Sequence, residues 1–249
     1  MSGRLPFVGL GARGNDTARN AEEILTRELG GEEAARVMPD RAGRDRAIDG
    51  LAFAGSGIAF LVAVAFLYRA EGPGSPDILV TLASPAGRGL FNGFVAAGIV
   101  AAILYAVGLT ALTTTLVDSD RLPSRAALVL GILAASTLMG LLAFQFALTA
   151  VAREGLVTAP SFRSLTVLAH AYADAAGWTA IVLLALSAVI ASLTFPRGRG
   201  WSWLWVAGLA LAPICLVLFL MDASYLFLLP FALWEIGLGL KLLLVSPDS

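Results

Sequence analysis

Cysteine and histidine are nearly absent from this chain of 249 residues, and their scarcity excludes several kinds of site. One cysteine, Cys215, forms neither a disulfide within the chain nor a cysteine-based zinc site. One histidine, His170, excludes sites that need two histidines from this chain, such as bis-histidine haem or the HExxH zinc motif. The GxSxG pattern of serine hydrolases is also missing, and Gly55-Ser56-Gly57 is better interpreted as helix packing. We predict no cofactor and assign no catalytic residue.

Charged residues are scarce as well, at 14% of the chain, whereas 58% of the residues are hydrophobic. Soluble domains carry about 25% charged residues, so this surplus of apolar surface indicates that lipid is the solvent. The formal net charge of −1 provides no basic surface for nucleic acid. The expected surroundings are therefore a lipid bilayer.

Long segments with few or no charges make up most of the chain. About 20 apolar residues span a bilayer as an α-helix, and six segments reach or approach this length. They are Gly50–Tyr68, Gly89–Val117, Ala126–Ala152, Ser164–Pro196, Trp201–Met221 and Ala223–Val245. They predict an all-α fold, a bundle of six transmembrane helices within residues 48–245, followed by a C-terminal end at residues 246–249.

Residues 1–47 differ in composition, since eight of the 17 basic and eight of the 18 acidic residues lie there. We interpret them as a charged cytoplasmic tail with a short amphipathic helix before Gly30, too short for a core of its own. The tail is one candidate surface for a protein partner, and a lipid-facing helix stripe is another. Ile78–Gly87, broken by Pro85, is predicted to lie at the membrane interface before the second spanning helix.

The distribution of basic residues predicts the orientation, because cytoplasmic loops are enriched in lysine and arginine. With the N-terminus inside, the tail arginines and most later basic residues are cytoplasmic: Arg121, Arg125, Arg197, Arg199 and Lys241. Only four arginines fall outside: Arg69, Arg88, Arg153 and Arg163. We expect both termini to lie in the cytoplasm.

Three ionisable side chains fall within the predicted spans: His170, Asp174 and Glu235. Each costs about 2.5–3.5 kcal/mol on insertion scales and therefore needs a reason. His170 and Asp174 are four residues apart and share one helical face. From the outer ends of their helices, His170 lies about 9 Å deep, Asp174 about 15 Å and Glu235 about 16 Å. We expect these three side chains to converge.

Uncharged polar residues are predicted at similar depths. Asn92 lies near the outer end of the second spanning helix, and Gln145 lies about 10 Å from the outer end of the third. Tyr172 is a possible partner for Glu235. One interpretation is that these groups satisfy one another, with Glu235 protonated or bonded to Tyr172 or Gln145, and determine how the helices pack.

The other interpretation is an outward-facing site for a ligand or a proton. Two carboxyl groups in a low dielectric suit a proton acceptor, and His170 would add sensitivity to pH. A metal site of His170, Asp174 and Glu235 has an acceptable set of ligands but no known spacing motif, and we do not predict one.

Three stretches resemble a family, the bacterial six-helix integral membrane proteins of unknown function. They are Gly72–Gly98, His170–Gly177 and Leu229–Gly239. The resemblance covers roughly residues 48–245 and implies a bacterial inner-membrane location. It implies no activity, and the tail of residues 1–47 is longer than such proteins usually carry.

Three functions are compatible with this sequence. The preferred one is a non-enzymatic membrane protein with an outward-facing polar pocket, acting in ligand binding, sensing or minor transport. The second is an accessory subunit of a larger membrane complex. The third is a membrane enzyme that uses Asp174 and Glu235.

The arginine asymmetry makes a direct prediction about topology. Reporter fusions placed after Ser249 and within Gly72–Asp77 should report opposite sides of the membrane. The same side for both fusions would show that the number of spans between them is even, against the six-span arrangement.

Overall fold

The computed structural model of the chain describes residues 41–71, 78–115, 122–154, 160–195, 201–221 and 223–244. Within these ranges the chain is helical and has no strand. The chain divides into two compact units, Met1–Arg44 and Asp45–Ser249, and nearly all described residues belong to the second. The predicted tail, residues 1–47, lies almost wholly outside the described ranges, as does the C-terminal end, residues 246–249.

Seven α-helices and one 3₁₀ turn make up the described part of the chain. In chain order they are α1 (Arg41–Glu71), α2 (Ile78–Ala83), α3 (Pro85–Thr115), α4 (Leu122–Arg153), α5 (Pro160–Thr194), α6 (Ser202–Leu220), the 3₁₀ turn Ser224–Phe227 and α7 (Leu228–Leu244). The predicted interfacial segment thus becomes α2 and the start of α3. Ser84 separates them, because its Oγ accepts a hydrogen bond from the Gly87 amide and Pro85 takes the first helical position.

Five of the helices, α1, α3, α4, α5 and α6, are long and apolar enough to cross a membrane. The expected sixth, α7, has 17 residues. At 1.5 Å per residue it is about 26 Å long, short of the roughly 30 Å hydrocarbon core. The reason is local, since Ser224–Phe227 form a 3₁₀ turn and do not extend the α-helix. A helical membrane protein with five candidate spans is therefore supported, and the sixth span stays a prediction.

Glycines bring α1 and α7 together in antiparallel orientation. A Cβ atom added to Gly57 would lie 2.5 Å from the backbone oxygen of Ala232, and one added to Gly50 would lie 2.8 Å from that of Gly239. Only a residue without a side chain permits this approach of two backbones. The packing interpretation of Gly55-Ser56-Gly57 is thus confirmed for Gly57.

The other neighbouring long helices alternate in direction in the same way. The contacts that show this are Gly93 with Phe66, Gly108 with Phe53, Gly98 with Leu142, Gly131 with Tyr105 and Ser187, Gly177 with Leu141, Gly208 with Ser192 and Trp234, Trp178 with Phe219, and Gly237 with Trp203. As a result, α1, α4 and α6 begin at one end of the bundle, here called the proximal end. The opposite end, with the turn between α6 and α7, is the distal end.

Two apolar clusters fill the bundle. The main cluster includes Phe53, Tyr105, Leu204 and Phe231 and joins α1, α3, α6 and α7, with α5 also contributing. The second lies at the distal end, where α2 packs on the start of α3, the end of α4 and the start of α5. Its buried members are Leu82, Phe91, Val95, Leu142, Leu148, Ala152 and Ala169.

The backbone contact at Gly57 predicts a sharp cost for one methyl group. Gly57→Ala should destabilise the protein by about 1–3 kcal/mol, because the new Cβ collides with backbone and not with a flexible side chain. Gly140→Ala in α4 is the matched control, since a Cβ there meets nothing within 4 Å. Thermal unfolding in detergent checks both variants, and equal midpoints would contradict the tight α1–α7 contact.

Candidate functional site

Glu235 lies in the middle of α7 and is completely buried, with 0% of its surface exposed. Its partner is Ser56 on α1, whose Oγ lies 3.0 and 3.2 Å from the two carboxyl oxygens. The same hydroxyl lies 2.9 Å from the backbone oxygen of Ala101 on α3. One serine therefore connects three helices, and one of them carries a carboxyl group in an apolar interior.

The number of hydrogens at this serine decides which form of Glu235 fits. A serine hydroxyl donates one hydrogen and accepts others. If Glu235 is protonated, its O–H donates to Ser56 and Ser56 donates to the Ala101 carbonyl, so that no group lacks a partner. If Glu235 is ionised, the carboxylate and the Ala101 carbonyl compete for the single Ser56 hydrogen, and one of the two acceptors goes without it. The hydrogen count therefore favours a neutral carboxylic acid.

A second buried hydrogen-bond chain lies one helical turn away. Tyr105, four residues after Ala101 on α3, donates to Ser187 on α5 over 2.9 Å. Ser187 donates in turn to the backbone oxygen of Ala127 on α4 over 2.8 Å. Tyr105 and Glu235 are close enough to interact electrostatically. The two chains together join α1, α3, α4, α5 and α7 through polar groups.

Aromatic rings enclose this polar centre. Phe231, one turn before Glu235 on α7, packs edge-on against Tyr105 and Phe60 at centroid distances of 5.5 and 5.9 Å. Phe53 packs edge-on against Tyr105 at 6.2 Å. All of these side chains are buried. The hydrogen bonds at Glu235 are thus formed in surroundings where they are stronger than in water and where an unpaired polar group is costly.

His170 and Asp174 lie elsewhere, at the distal end. They are adjacent on one face of α5 as predicted, with 3.8 Å between Nε2 and Oδ2. Their side chains are 72% and 62% exposed, however, whereas Glu235 is enclosed. The structure brings the pair together and gives Glu235 a different partner, Ser56.

The length of α5 explains the exposure of this pair. α5 begins at Pro160 and has 35 residues, about 52 Å, which exceeds the thickness of a bilayer core. Trp178 contacts Phe219 near the end of α6 at 4.9 Å. The part of α5 before Trp178 therefore extends past the end of α6, and its side chains are left uncovered on that flank. The prediction from the sequence measures depth from Ser164 and assumes that the neighbouring helices end at the same level as α5.

The remaining predicted polar residues belong to the distal half. Asn92 accepts a hydrogen bond from Thr149 over 2.9 Å. Gln145 has a buried Oε1 without a hydrogen-bond partner in the described part of the chain. Tyr172 is half-exposed and packs edge-on against Phe144 at 5.2 Å. Neither Gln145 nor Tyr172 is the hydrogen-bond partner of Glu235.

Sequence reasoning missed Ser56, Tyr105 and Ser187 as polar partners. The interpretation of Gly55-Ser56-Gly57 as helix packing overlooks the Ser56 hydroxyl, which is hydrogen-bonded with Glu235. The available signal was the position of Tyr105 and Ser187 in the middle of long apolar segments, where a polar side chain needs a partner. Buried Asp49 on α1 was missed too, because it precedes the first uncharged segment.

No group of three or more histidine, cysteine, aspartate or glutamate side chains suited to a metal ion occurs within the described ranges. Comparisons with protein-family profiles, with curated proteins and with solved structures found no match to the chain. The assignment of function therefore depends on the geometry of the buried carboxyl group.

Mutational coupling should distinguish the two environments. Ser56→Ala and Glu235→Gln should be coupled by about 0.5–3 kcal/mol in a double-mutant cycle, since the side chains touch. Asp174→Asn and Glu235→Gln should add within error, because the exposed pair and the buried carboxyl share no described contact. Unfolding in detergent supplies the free energies, with Ser136→Ala on the exposed face of α4 as the control for serine removal. Coupling between Asp174→Asn and Glu235→Gln would instead support the predicted convergence of His170, Asp174 and Glu235.

Proposed function

We propose that this chain is a multi-pass membrane protein in which Glu235 binds and releases a proton, in the service of sensing or minor transport and not of catalysis. The observation that carries the proposal is a completely buried carboxyl group whose partner is a hydroxyl and not a basic side chain. Ionisable residues inside a membrane protein usually mark proton or ligand pathways. A purely structural clasp between the helices would need no titratable group.

Protonation of Glu235 is connected to helix packing through Ser56. While Glu235 is neutral, the Ser56 hydrogen is free for the Ala101 carbonyl on α3. When Glu235 loses its proton, the carboxylate competes for that hydrogen, since charge-assisted bonds are stronger than neutral ones. The contact between α1 and α3 then weakens while the contact between α1 and α7 strengthens. Such a change is the kind of two-state element through which a proton alters a membrane protein's conformation.

The topology we propose has six spans, with Ser224–Phe227 and α7 together crossing the membrane as the sixth. The proximal end then faces the cytoplasm of a bacterial cell, together with both termini, as the arginine distribution favours. The buried polar chains lie between the middle of the bundle and this end, so the site differs from the outward-facing pocket expected from sequence.

A second function, accessory subunit of a larger complex, has a specific observation in its favour. The distal part of α5 carries exposed His170 and Asp174 next to exposed Val167 and Leu168, beyond the end of α6. A partner helix seated on that flank would cover polar and apolar side chains together. A membrane enzyme that uses Asp174 and Glu235 gains no support, because the two carboxyl groups lie in different surroundings.

Infrared spectroscopy tests the proton site directly. A neutral buried carboxylic acid has a C=O stretching band separate from the amide bands, and we expect wild-type protein in membranes to show one that responds to pH. Glu235→Gln should abolish this band, because glutamine keeps the shape and a hydrogen-bond acceptor but has no proton to lose. Asp174→Asn is the control and should leave it unchanged. A Glu235 band that persists unaltered at every pH at which the protein is folded would make Glu235 a structural clasp.

A further inference from the structure

Buried polar groups continue from Glu235 towards the proximal end of the bundle. Asp49 on α1 is 1% exposed and precedes Ser56 by seven residues, two helical turns, so both lie on one face of α1. Ser124 on α4 is also buried, and its Oγ has no hydrogen-bond partner in the described part of the chain. Ser124 lies inside α4, which begins two residues earlier, at Leu122.

These groups form a series in depth. Measured along the helices from the level of Ser56 and Ala101, Tyr105 lies about 6 Å nearer the proximal end and Asp49 about 10 Å nearer. Ser187 is level with Tyr105 through their hydrogen bond. Ser124, one turn before Ala127, reaches about the depth of Asp49. Polar oxygen atoms therefore occur at two levels on the proximal side of Glu235, about 6 and about 10 Å away along the helices.

The distal side of Glu235 is different. Phe231 stands one turn before Glu235 on α7, Phe227 is the last residue of the 3₁₀ turn that precedes α7, and Phe60 stands one turn after Ser56 on α1. The three rings are in contact, at 5.9 Å between Phe60 and Phe231 and 5.8 Å between Phe227 and Phe231. All three are almost completely buried. These three rings therefore form a continuous aromatic layer on the distal side of Glu235, whereas on the proximal side the buried ring of Phe53 packs against Tyr105, whose hydroxyl belongs to the polar series.

We propose that Glu235 exchanges its proton only with the proximal side of the membrane, and that Asp49 is the acid that receives the proton from water there. This inference rests on the proposed function and adds the access route. The Asp49 carboxylate takes a proton from proximal water, and the proton moves through the oxygens of Tyr105, Ser187 and intervening water. At each transfer one O–H bond breaks on the donor and one forms on the acceptor. Glu235 ends neutral and Asp49 returns to its carboxylate form.

From Ala47 onward, the structure describes few other titratable side chains around this route. Tyr105 faces it from α3, and buried Cys215 belongs to α6. On α7 itself Lys241 lies 5.8 Å from the centre of the Trp201 ring, at the proximal end. Arg125 on α4 is exposed at the same end. Helix α5 contributes hydroxyl groups near this level, and Asp49 is the buried carboxyl group that we place on the route.

Hydrogen–deuterium exchange of the Glu235 carboxyl group tests the route. After wild-type membranes are transferred to D₂O, the C=O band of Glu235 shifts as its proton exchanges. Asp49→Asn should slow this shift roughly 10²-fold, the usual effect of removing a positioned proton donor. Asp49→Glu should restore much of the rate, which a merely structural role for Asp49 would not predict. Asp174→Asn, at the distal end, should have no effect.

The outcomes separate this inference from the proposed function. If no band depends on Glu235, the proposed function fails. If the band exists but Asp49→Asn leaves its exchange rate unchanged, only the route fails. Faster exchange in Phe60→Ala with no effect of Asp49→Asn would place the access on the distal side.

A measurement on the unmodified chain covers the case in which Asp49→Asn does not fold. In vesicles with the protein in one orientation, determined from an accessible C-terminal tag, acid is added to one side only. Acid on the proximal side should change the Glu235 band at once. Acid on the distal side should act only as fast as protons leak across the lipid. An immediate response to distal acid would overturn the route.

Discussion

The hydroxyl group of Ser56 is shared by three helices, because its oxygen lies within hydrogen-bonding distance of Glu235 on α7 and of the Ala101 carbonyl on α3. A buried carboxyl group without such a partner would cost several kcal/mol in an apolar interior. Its presence in turn requires α1 and α7 to approach closely, which the glycines at 50, 57 and 239 allow. Small residues and the polar bond therefore depend on each other: the glycines bring the backbones together, and the bond makes one register between the helices preferable to its alternatives.

Much of the fold was accessible from the sequence because lipid imposes a simple rule. Every backbone polar group must be satisfied within the helix, so long apolar segments such as Ala126–Ala152 predict helices with few alternatives. The length of the last predicted helix is an overestimate, because hydropathy carries no signal that Ser224–Phe227 form a 3₁₀ turn before α7. Some helices also extend beyond the predicted apolar segments. Helix α5, for example, begins at Pro160 and not at Ser164, since a helix can continue through polar residues once its end leaves the hydrocarbon.

The candidate site was only partly predictable, for a reason that concerns direction and not depth. Composition and counting identified Glu235 as an ionisable group in the interior, and helical periodicity paired His170 with Asp174. Neither can tell whether a face of α5 points into the bundle or away from it. The direction of a helix face depends on which helices are its neighbours. Small residues such as Gly57 and Ser187 determine those neighbours, and they stand out little in the sequence. Burial of Asp49 escaped notice for the same reason, since a charge at the edge of an apolar run is usually solvated.

The unequal lengths of the helices have a consequence for the surrounding lipid. On one flank α4 and α5 present helices of 32 and 35 residues, while α7 contributes 17. The ends of the long helices can extend into water without stretching the lipid, whereas a helix shorter than the hydrocarbon core compresses it, at a fraction of a kcal/mol for each ångström of hydrophobic mismatch. In the six-span arrangement that we propose, the lipid beside α7 is therefore the lipid that must thin, unless the bundle tilts. Bilayer thickness then acts on the protein mainly through the α7 flank, the same helix that carries Glu235.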